Sequence, residues 1–141
     1  MKISDKGINL IKEFEGLELI SYLCPAKVWT IGYGHTKGVQ EGMEWTEEQA
    51  EEALKEEVIG YCRYVEELVK VPLNQNQFDA LTSWTYNLGP TNLKSSTMLK
   101  VLNDGNYDEV PEQIKKWNKA GGQVLNGLIK RRDAEAELFV S

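Results

Sequence analysis

The sequence predicts an α+β fold that is predominantly helical, with one small β region near the N-terminus. Apolar residues recur at helical spacing through most of the chain, whereas residues 19–34 are rich in the β-branched, aromatic and glycine residues of strands and turns. With 141 residues, 41% hydrophobic and 27% charged, the chain has the size and composition of one globular domain. We predict a β lobe at about 17–45, a connecting helix at about 46–70 and a helical lobe at about 71–141, which also takes in the N-terminal helix.

The first helix is predicted to begin near Ser4, which is a favourable N-cap residue. Ile8, Ile11 and Phe14 form its apolar stripe, and Gly16 is expected to end it. Glu15 is therefore predicted to lie at the C-terminal end of this helix.

Two strands are predicted at 19–23 and 28–33, joined by a turn at 24–27. A third short strand is predicted at 39–43. Glycines 32 and 34 permit tight turns or a close approach of another group to the backbone.

The remaining helices are predicted from capping patterns and apolar spacing. Thr46 and Gln49 form a capping box that opens the connecting helix, and Asn74 and Gln77 form a second one. Further helices are predicted at 96–103, at 107–117 with a kink at Pro111, and from a capping Asn126 to 139.

The net charge of −6 is unevenly distributed. Ten acidic and two basic residues lie between 41 and 67, whereas residues 115–132 hold six basic residues and no acidic one. An acidic total argues against nucleic-acid binding, which depends on basic charge. The basic stretch either faces an anionic polymer locally or is an ordinary solvated surface.

The sequence predicts neither a metal site nor a cofactor. Cys24 and Cys62 are too few for a disulfide framework, so we expect free thiols, with Cys62 a small buried residue. His35 is the only histidine, and no cysteine pair has metal-ligand spacing. We find no apolar signal segment and no transmembrane anchor, which predicts a protein made and stored in the cytoplasm.

Protic side chains follow one another closely near the N-terminus. Eight residues separate Glu15 from Cys24, and five separate Cys24 from Thr30, which opens the run Thr-Ile-Gly-Tyr-Gly-His-Thr at 30–36. Cleavage of a glycosidic bond needs a proton donor on one side of the bond and a base or nucleophile on the other. This segment could supply both groups.

The chain resembles the phage-type lysozyme family, the endolysins of tailed bacteriophages. The resemblance rests on Glu15-Gly16, on the run 30–36, and on the segments at 77–81, 86–89 and 127–132. It implies a two-lobed lysozyme-like fold with a sugar cleft between the lobes. It also implies hydrolysis of the β-1,4 bond between N-acetylmuramic acid and N-acetylglucosamine in peptidoglycan. By position, Glu15 would be the general acid, Cys24 would stand where many members of the family have Asp, and Thr30 would be the third catalytic residue.

Glu15 and Cys24 each leave alternatives open. Glu15 must be protonated to act, so burial would have to raise its pKa above the reference value of about 4.3; otherwise it is an exposed glutamate ending a helix. Cys24, as thiolate, could attack the anomeric carbon and give retention. It could instead fill space and orient water with Thr30, or simply be a core cysteine.

The other candidate residues follow from the resemblance. Thr30 could bond the attacking water or stabilise the transition state, or be only a strand residue. Tyr22, Tyr33, Gly34 and Tyr86 are candidates for substrate contact, with core packing as the alternative for the tyrosines. His35 is expected to be structural, pairing with a carboxylate of the helical lobe. Either Arg131, also a substrate-binding candidate, or Arg132 is expected to pair with Glu15.

The function expected from the resemblance is that of an endolysin acting on peptidoglycan. It would be a monomer without stable membrane association, held in the host cytoplasm before lysis and then acting in the periplasm or cell wall. A separate membrane pore protein would release it. A lytic transglycosylase, a non-catalytic peptidoglycan-binding or tail-assembly module, and a bacterial toxin of the same fold are the alternatives.

Overall fold

The computed structural model describes residues 1–141 and has the predicted helix-rich α+β architecture. The helices are α1 (Asp5–Glu15), α2 (Glu47–Leu68), α3 (Gln75–Leu88), α4 (Pro90–Ser95), α5 (Thr97–Asn103), a 3-10 turn (Tyr107–Glu109), α6 (Val110–Lys115) and α7 (Asn126–Val140). The strands form two antiparallel hairpins, β1 (Glu18–Leu23) with β2 (Trp29–Gly32) and β3 (Lys119–Ala120) with β4 (Gln123–Val124). The predicted fold class is confirmed.

α1 carries Glu15 at its last position. Gly16 ends the helix with a φ of 73°, in the left-handed region that glycine adopts without strain. Ser4 is the N-cap residue, but its side chain does not cap the helix, because its hydroxyl and backbone N–H both donate to Asp79. These two hydrogen bonds therefore connect the first turn of α1 to α3.

The first hairpin places Thr30 opposite Tyr22 and Trp29 opposite Leu23. The third strand predicted at 39–43 is wrong. The chain meets β1 only slightly later, in a single bridge between Ile20 and Glu44, because glycines at 38 and 42 with positive φ turn the backbone in between. The sheet of the β lobe therefore has two strands, with isolated bridges from Ile20 to Glu44 and from Ile31 to His35.

The two predicted capping boxes are present. The Thr46 hydroxyl accepts from the Gln49 N–H while the Gln49 side chain accepts from the Thr46 N–H, and Asn74 and Gln77 are paired in the same way. These boxes fix where α2 and α3 begin. α2 then runs for 22 residues from the β lobe into the helical lobe.

Pro90 begins the short helix α4 directly after Gly89, the C-cap residue of α3. Two expectations for the helical lobe need correction. Asn126 is the first residue of α7 and does not cap it, because Leu125 holds the N-cap position. The hairpin formed by β3 and β4 was not expected, so the β structure is not confined to one region.

Two apolar clusters lie on either side of the site described below. The larger one is centred on the buried α3 residues Phe78, Leu81 and Trp84 and includes residues of α5, α6 and α7. The smaller one joins α1 to α2 beneath the β lobe, through Ile11, Tyr33 and Leu54. No helix combines the length and the apolar character that crossing a bilayer requires.

Candidate active site

Glu15 lies between the lobes, held by an arginine of the last helix. Arg131 Nη1 donates to Glu15 Oε2 at 2.6 Å, and the side chains are 3% and 18% exposed, respectively. A charge-assisted bond this short fixes the carboxylate and leaves a small exposed face toward solvent. Of the two arginines considered from sequence, Arg131 is the one that contacts Glu15.

Arg132 points in another direction, as adjacent residues on a helix must. Its Nη2 donates to Asn87 Oδ1 at 2.6 Å, and its Nε lies 2.9 Å from Glu135 Oε1. Burial lowers the pKa of the Arg132 guanidinium to about 10, because desolvation disfavours its charged form.

Glu135 lies one helical turn further along α7 and contacts both arginines. Its Oε2 accepts from Arg131 Nε at 3.3 Å and from Ser83 Oγ at 2.6 Å. Arg131 Nη2 also donates to the Ser83 carbonyl at 3.2 Å. Burial raises the pKa of the Glu135 carboxyl, while its positive neighbours act in the opposite direction. Sequence reasoning missed Glu135 and Ser83, although Glu135 follows Arg131 and Arg132 at the helical i+4 and i+3 spacing.

Gly34 approaches the Glu15 carboxyl group closely. A Cβ at position 34 would overlap Glu15 Oε1 and lie 3.2 Å from Glu15 Cδ, and the backbone has a φ of 77°. Only glycine satisfies both the conformation and the space. The close approach expected from the glycine-rich run is therefore to Glu15 itself.

Gly34→Ala is expected to lower the rate of cell-wall hydrolysis by about 10²-fold, since a displacement of about 1 Å at a reacting group has a cost of this order. Rates on purified peptidoglycan are measured beside those of Gly38→Ala. Gly38 has a φ of 71° but nothing within 4 Å of its would-be Cβ, so it reproduces the backbone strain without the collision. Equal losses in both variants would show that strain alone is responsible and that contact with Glu15 is irrelevant.

Thr30 and Cys24 lie together at the turn end of the first hairpin. Thr30 is 4% exposed, and its hydroxyl donates to the Val28 carbonyl at 3.0 Å. The Thr30 oxygen thus has lone pairs left with which to accept a hydrogen bond from water or substrate. Hydrogen bonding from the Val28 backbone, with a further contribution from the Thr30 hydroxyl, holds the pKa of the Cys24 thiol below its ordinary value.

Cys24 is expected to react with iodoacetamide half-maximally at a lower pH than Cys62, because its thiol pKa is lowered and the thiolate is the nucleophile. Cys62 provides the control in the same chain, since it is buried and desolvation raises the pKa of its thiol. Peptide mapping of the native protein across a pH series measures both sites. Labelling of Cys62 at the lower pH would contradict the expected order.

The three candidate tyrosines have different surroundings. Tyr33 is 8% exposed and belongs to the smaller core, with the Lys12 ammonium 5.6 Å from its ring centre. Tyr86 is half-buried and donates its hydroxyl to the Tyr33 carbonyl at 2.8 Å, and burial raises its pKa. Tyr22 is 39% exposed. Tyr22 therefore offers the most ring surface to a ligand, whereas Tyr33 is mainly packed within the smaller core.

His35 has both ring nitrogens occupied. Nδ1 lies 3.0 Å from Glu57 Oε2, Nε2 lies 2.9 Å from the Lys37 carbonyl, and the ring lies 5.2 Å from that of Trp45. A ring engaged on both edges and one face has no free nitrogen for proton transfer. Its carboxylate partner is on the connecting helix α2, one element earlier than the helical lobe where it was expected.

The cleft around Glu15 and Arg131 has a volume of about 390 Å³. The other lining residues are Glu13, Phe14, Asn87, Leu125, Gly127 and Leu128. Asn87, Leu125 and Leu128 were not predicted as cleft residues, because nothing in the sequence brings the start of α7 next to the end of α1. No group of three or more histidine, cysteine or carboxylate side chains is arranged to hold a metal ion.

Comparison with known proteins agrees with this architecture. The sequence model of the phage lysozyme family, described as "Phage lysozyme", matches residues 12–135. The endolysin of Acyrthosiphon pisum secondary endosymbiont phage 1 is 47% identical over 100% of this chain and 99% of its own length. The endolysin of Bacillus phage B103 is also 47% identical over 100% of this chain, which spans only 55% of that protein.

Among solved structures, the muramidase domain of SpmX from Asticaccaulis excentricus superposes with a TM-score of 0.93 at 40% identity. The match covers 99% of this chain and 98% of that domain. The family match and the relatives confirm the resemblance predicted from the sequence motifs. The chain is therefore a member of the phage lysozyme family.

Proposed function

We propose that the protein is an endolysin that hydrolyses the β-1,4 bond between N-acetylmuramic acid and N-acetylglucosamine in bacterial peptidoglycan. The observation that carries this proposal is the Glu15 carboxyl group, which lines a cleft with residues of α1, α3 and α7 and is held at 2.6 Å by Arg131. A positioned carboxyl group that keeps one face open is what proton donation to a leaving glycosidic oxygen needs. The names of the relatives, endolysins and a muramidase domain, support the same reaction.

In this mechanism Glu15 transfers its proton to the leaving oxygen as the bond from that oxygen to the anomeric carbon breaks. Two routes complete the reaction. In the first, the Cys24 sulfur bonds to the anomeric carbon, and water then displaces it with Glu15 as base, giving retention. In the second, Thr30 and Cys24 orient a water that attacks directly and releases its proton to solvent, giving inversion. The lowered pKa of Cys24 increases the thiolate fraction, which is the form that the first route needs.

The expected setting follows from the same proposal. Peptidoglycan is the partner, and the protein acts as a monomer in the periplasm or cell wall after release from the host cytoplasm through a separate pore protein. His35 is a structural residue, Tyr22 and Tyr86 line the substrate path, and Tyr33 and Gly34 shape its floor. No cofactor takes part.

The products of purified peptidoglycan test the proposal. Mass spectrometry of the soluble muropeptides should show reducing N-acetylmuramic acid ends. Products lighter by one water would identify a lytic transglycosylase, and the absence of soluble products would leave only a binding role. Full activity of Cys24→Ser would exclude the covalent route, whereas a trapped sugar–Cys24 adduct would establish it.

A further inference from the structure

Three charged side chains lie side by side behind Glu15, almost out of contact with solvent. Arg131 is 3% exposed, and Arg132 and Glu135 are 0% exposed. Of the three, only Arg131 contacts Glu15, through a hydrogen bond from Nη1. Its Nε donates to Glu135 and its Nη2 donates to Ser83. Glu135 thus touches the arginine that holds Glu15 without touching the cleft itself.

This arrangement is not the one that stability alone would favour. Arg132 Nη1 and Trp84 Nε1 are buried without a hydrogen-bond partner, and Arg132 Nε and Glu135 Oε1 are close without the alignment of a hydrogen bond. Desolvated charges with unmade hydrogen bonds are costly, and apolar residues often replace buried ion pairs without loss of stability. The cluster therefore calls for an explanation other than stability.

We propose that Glu135 is a positioning residue for the reaction, which acts on Glu15 through Arg131. This inference rests on the proposed function, in which Glu15 is the proton donor. Glu135 Oε2, itself fixed by Ser83 Oγ at 2.6 Å, holds the Nε edge of Arg131, so that Nη1 meets Glu15 in one orientation. Its negative charge also offsets part of the positive charge that Arg131 and Arg132 present to Glu15.

The charge effect has a definite sign. Without Glu135, two cations would face the single carboxyl group of Glu15 and would favour its ionised form, which cannot donate a proton. The other titratable groups near enough to interact with the Glu15 charge are Tyr22 on β1, Tyr61 on α2 and Tyr86 on α3. Glu13 lines the same cleft. None of these groups is changed by a substitution at position 135.

The test compares the wild type with Arg132→Gln, Glu135→Gln and the double variant in peptidoglycan hydrolysis across pH. The double variant removes one buried charge of each sign, so an unbalanced charge does not confound its folding. Both variants that lack Glu135 should lose kcat by about tenfold with little change in KM, because both lose the carboxylate that holds the Nε edge of Arg131. The alkaline limb of the pH profile should move to lower pH, by about one unit, in Glu135→Gln alone, since the double variant leaves only one cation beside Glu15. Arg132→Gln removes a cation and keeps Glu135, so its limb should move to higher pH, opposite to that of Glu135→Gln.

A purely structural role would give a different pattern. Activity would then follow the melting temperature, and the double variant would recover both, which would overturn the proposal. Ser83→Ala removes the bond that fixes Glu135 without altering any buried charge, and it should lower kcat in the same direction. An unchanged kcat in Ser83→Ala would contradict the positioning role. Release of muropeptides by the wild type in the same assay tests the proposed function separately.

Discussion

Glu15→Gln is expected to lower the rate of muropeptide release by about 10²- to 10⁴-fold, which is the usual contribution of a general acid. The amide has nearly the shape of the carboxyl group and can still accept the hydrogen bond from Arg131, but it has no acidic proton to transfer. The rate is measured on purified peptidoglycan at several pH values. The loss should persist at every pH, because no pH restores a proton donor at this position.

Glu13→Gln is the matched control for this change. Glu13 lies in the same helix and lines the same cleft, but it has no ion pair with Arg131. It should keep nearly full activity, and the melting temperature of each variant shows whether its loss of activity exceeds any loss of folded protein. If Glu15→Gln remained active, or if Glu13→Gln lost as much activity, the assignment of Glu15 as the proton donor would be wrong.

Arg131→Met should destabilise the protein by about 3–5 kcal/mol, the usual result of removing one partner from a buried charge pair. Glu135 would lose one of its two cationic partners while remaining 0% exposed, and the Ser83 carbonyl would lose a donor. Methionine fills much of the arginine's volume, so the loss reflects charge and hydrogen bonding more than an empty cavity. Urea unfolding followed by circular dichroism measures the change.

Lys130→Met provides the comparison for Arg131→Met. Lys130 precedes Arg131 on α7 but is exposed, and no ion pair involves it. Methionine and lysine have similar helix propensities, so this control should change the free energy of unfolding by less than about 0.5 kcal/mol. Similar losses for both variants would mean that the buried pairs at Arg131 contribute little to stability.

The start of a helix was predictable where the N-cap side chain accepts a hydrogen bond from a backbone N–H of the same helix. Thr46 with Gln49 and Asn74 with Gln77 are local pairs three residues apart, and both form as expected. Ser4 looked equally suitable, yet its hydroxyl is taken by Asp79, which is 75 residues away. Local sequence cannot anticipate a distant competitor for the same hydroxyl.

The site was only partly predictable for the same reason. The spacing of Glu15, Cys24 and Thr30 pointed to a cluster near the N-terminus, and the arginine pair pointed to a partner for Glu15. Whether Arg131 or Arg132 pairs with Glu15 depends on the rotation of α7 about its axis. Packing of α7 against α3 determines that rotation. The role of Gly34 as a neighbour of the Glu15 oxygen likewise appears only when the end of α1 and the turn after β2 are brought together.

The ion pair between Glu15 and Arg131 joins residues 116 positions apart. Because synthesis proceeds from the N-terminus, the helix that bears Glu15 emerges first, and its partner is made only 116 positions later. A nascent or C-terminally truncated chain therefore has the proton donor but not the group that orients it. Hydrolytic capability should accordingly arise in one step, when α7 docks.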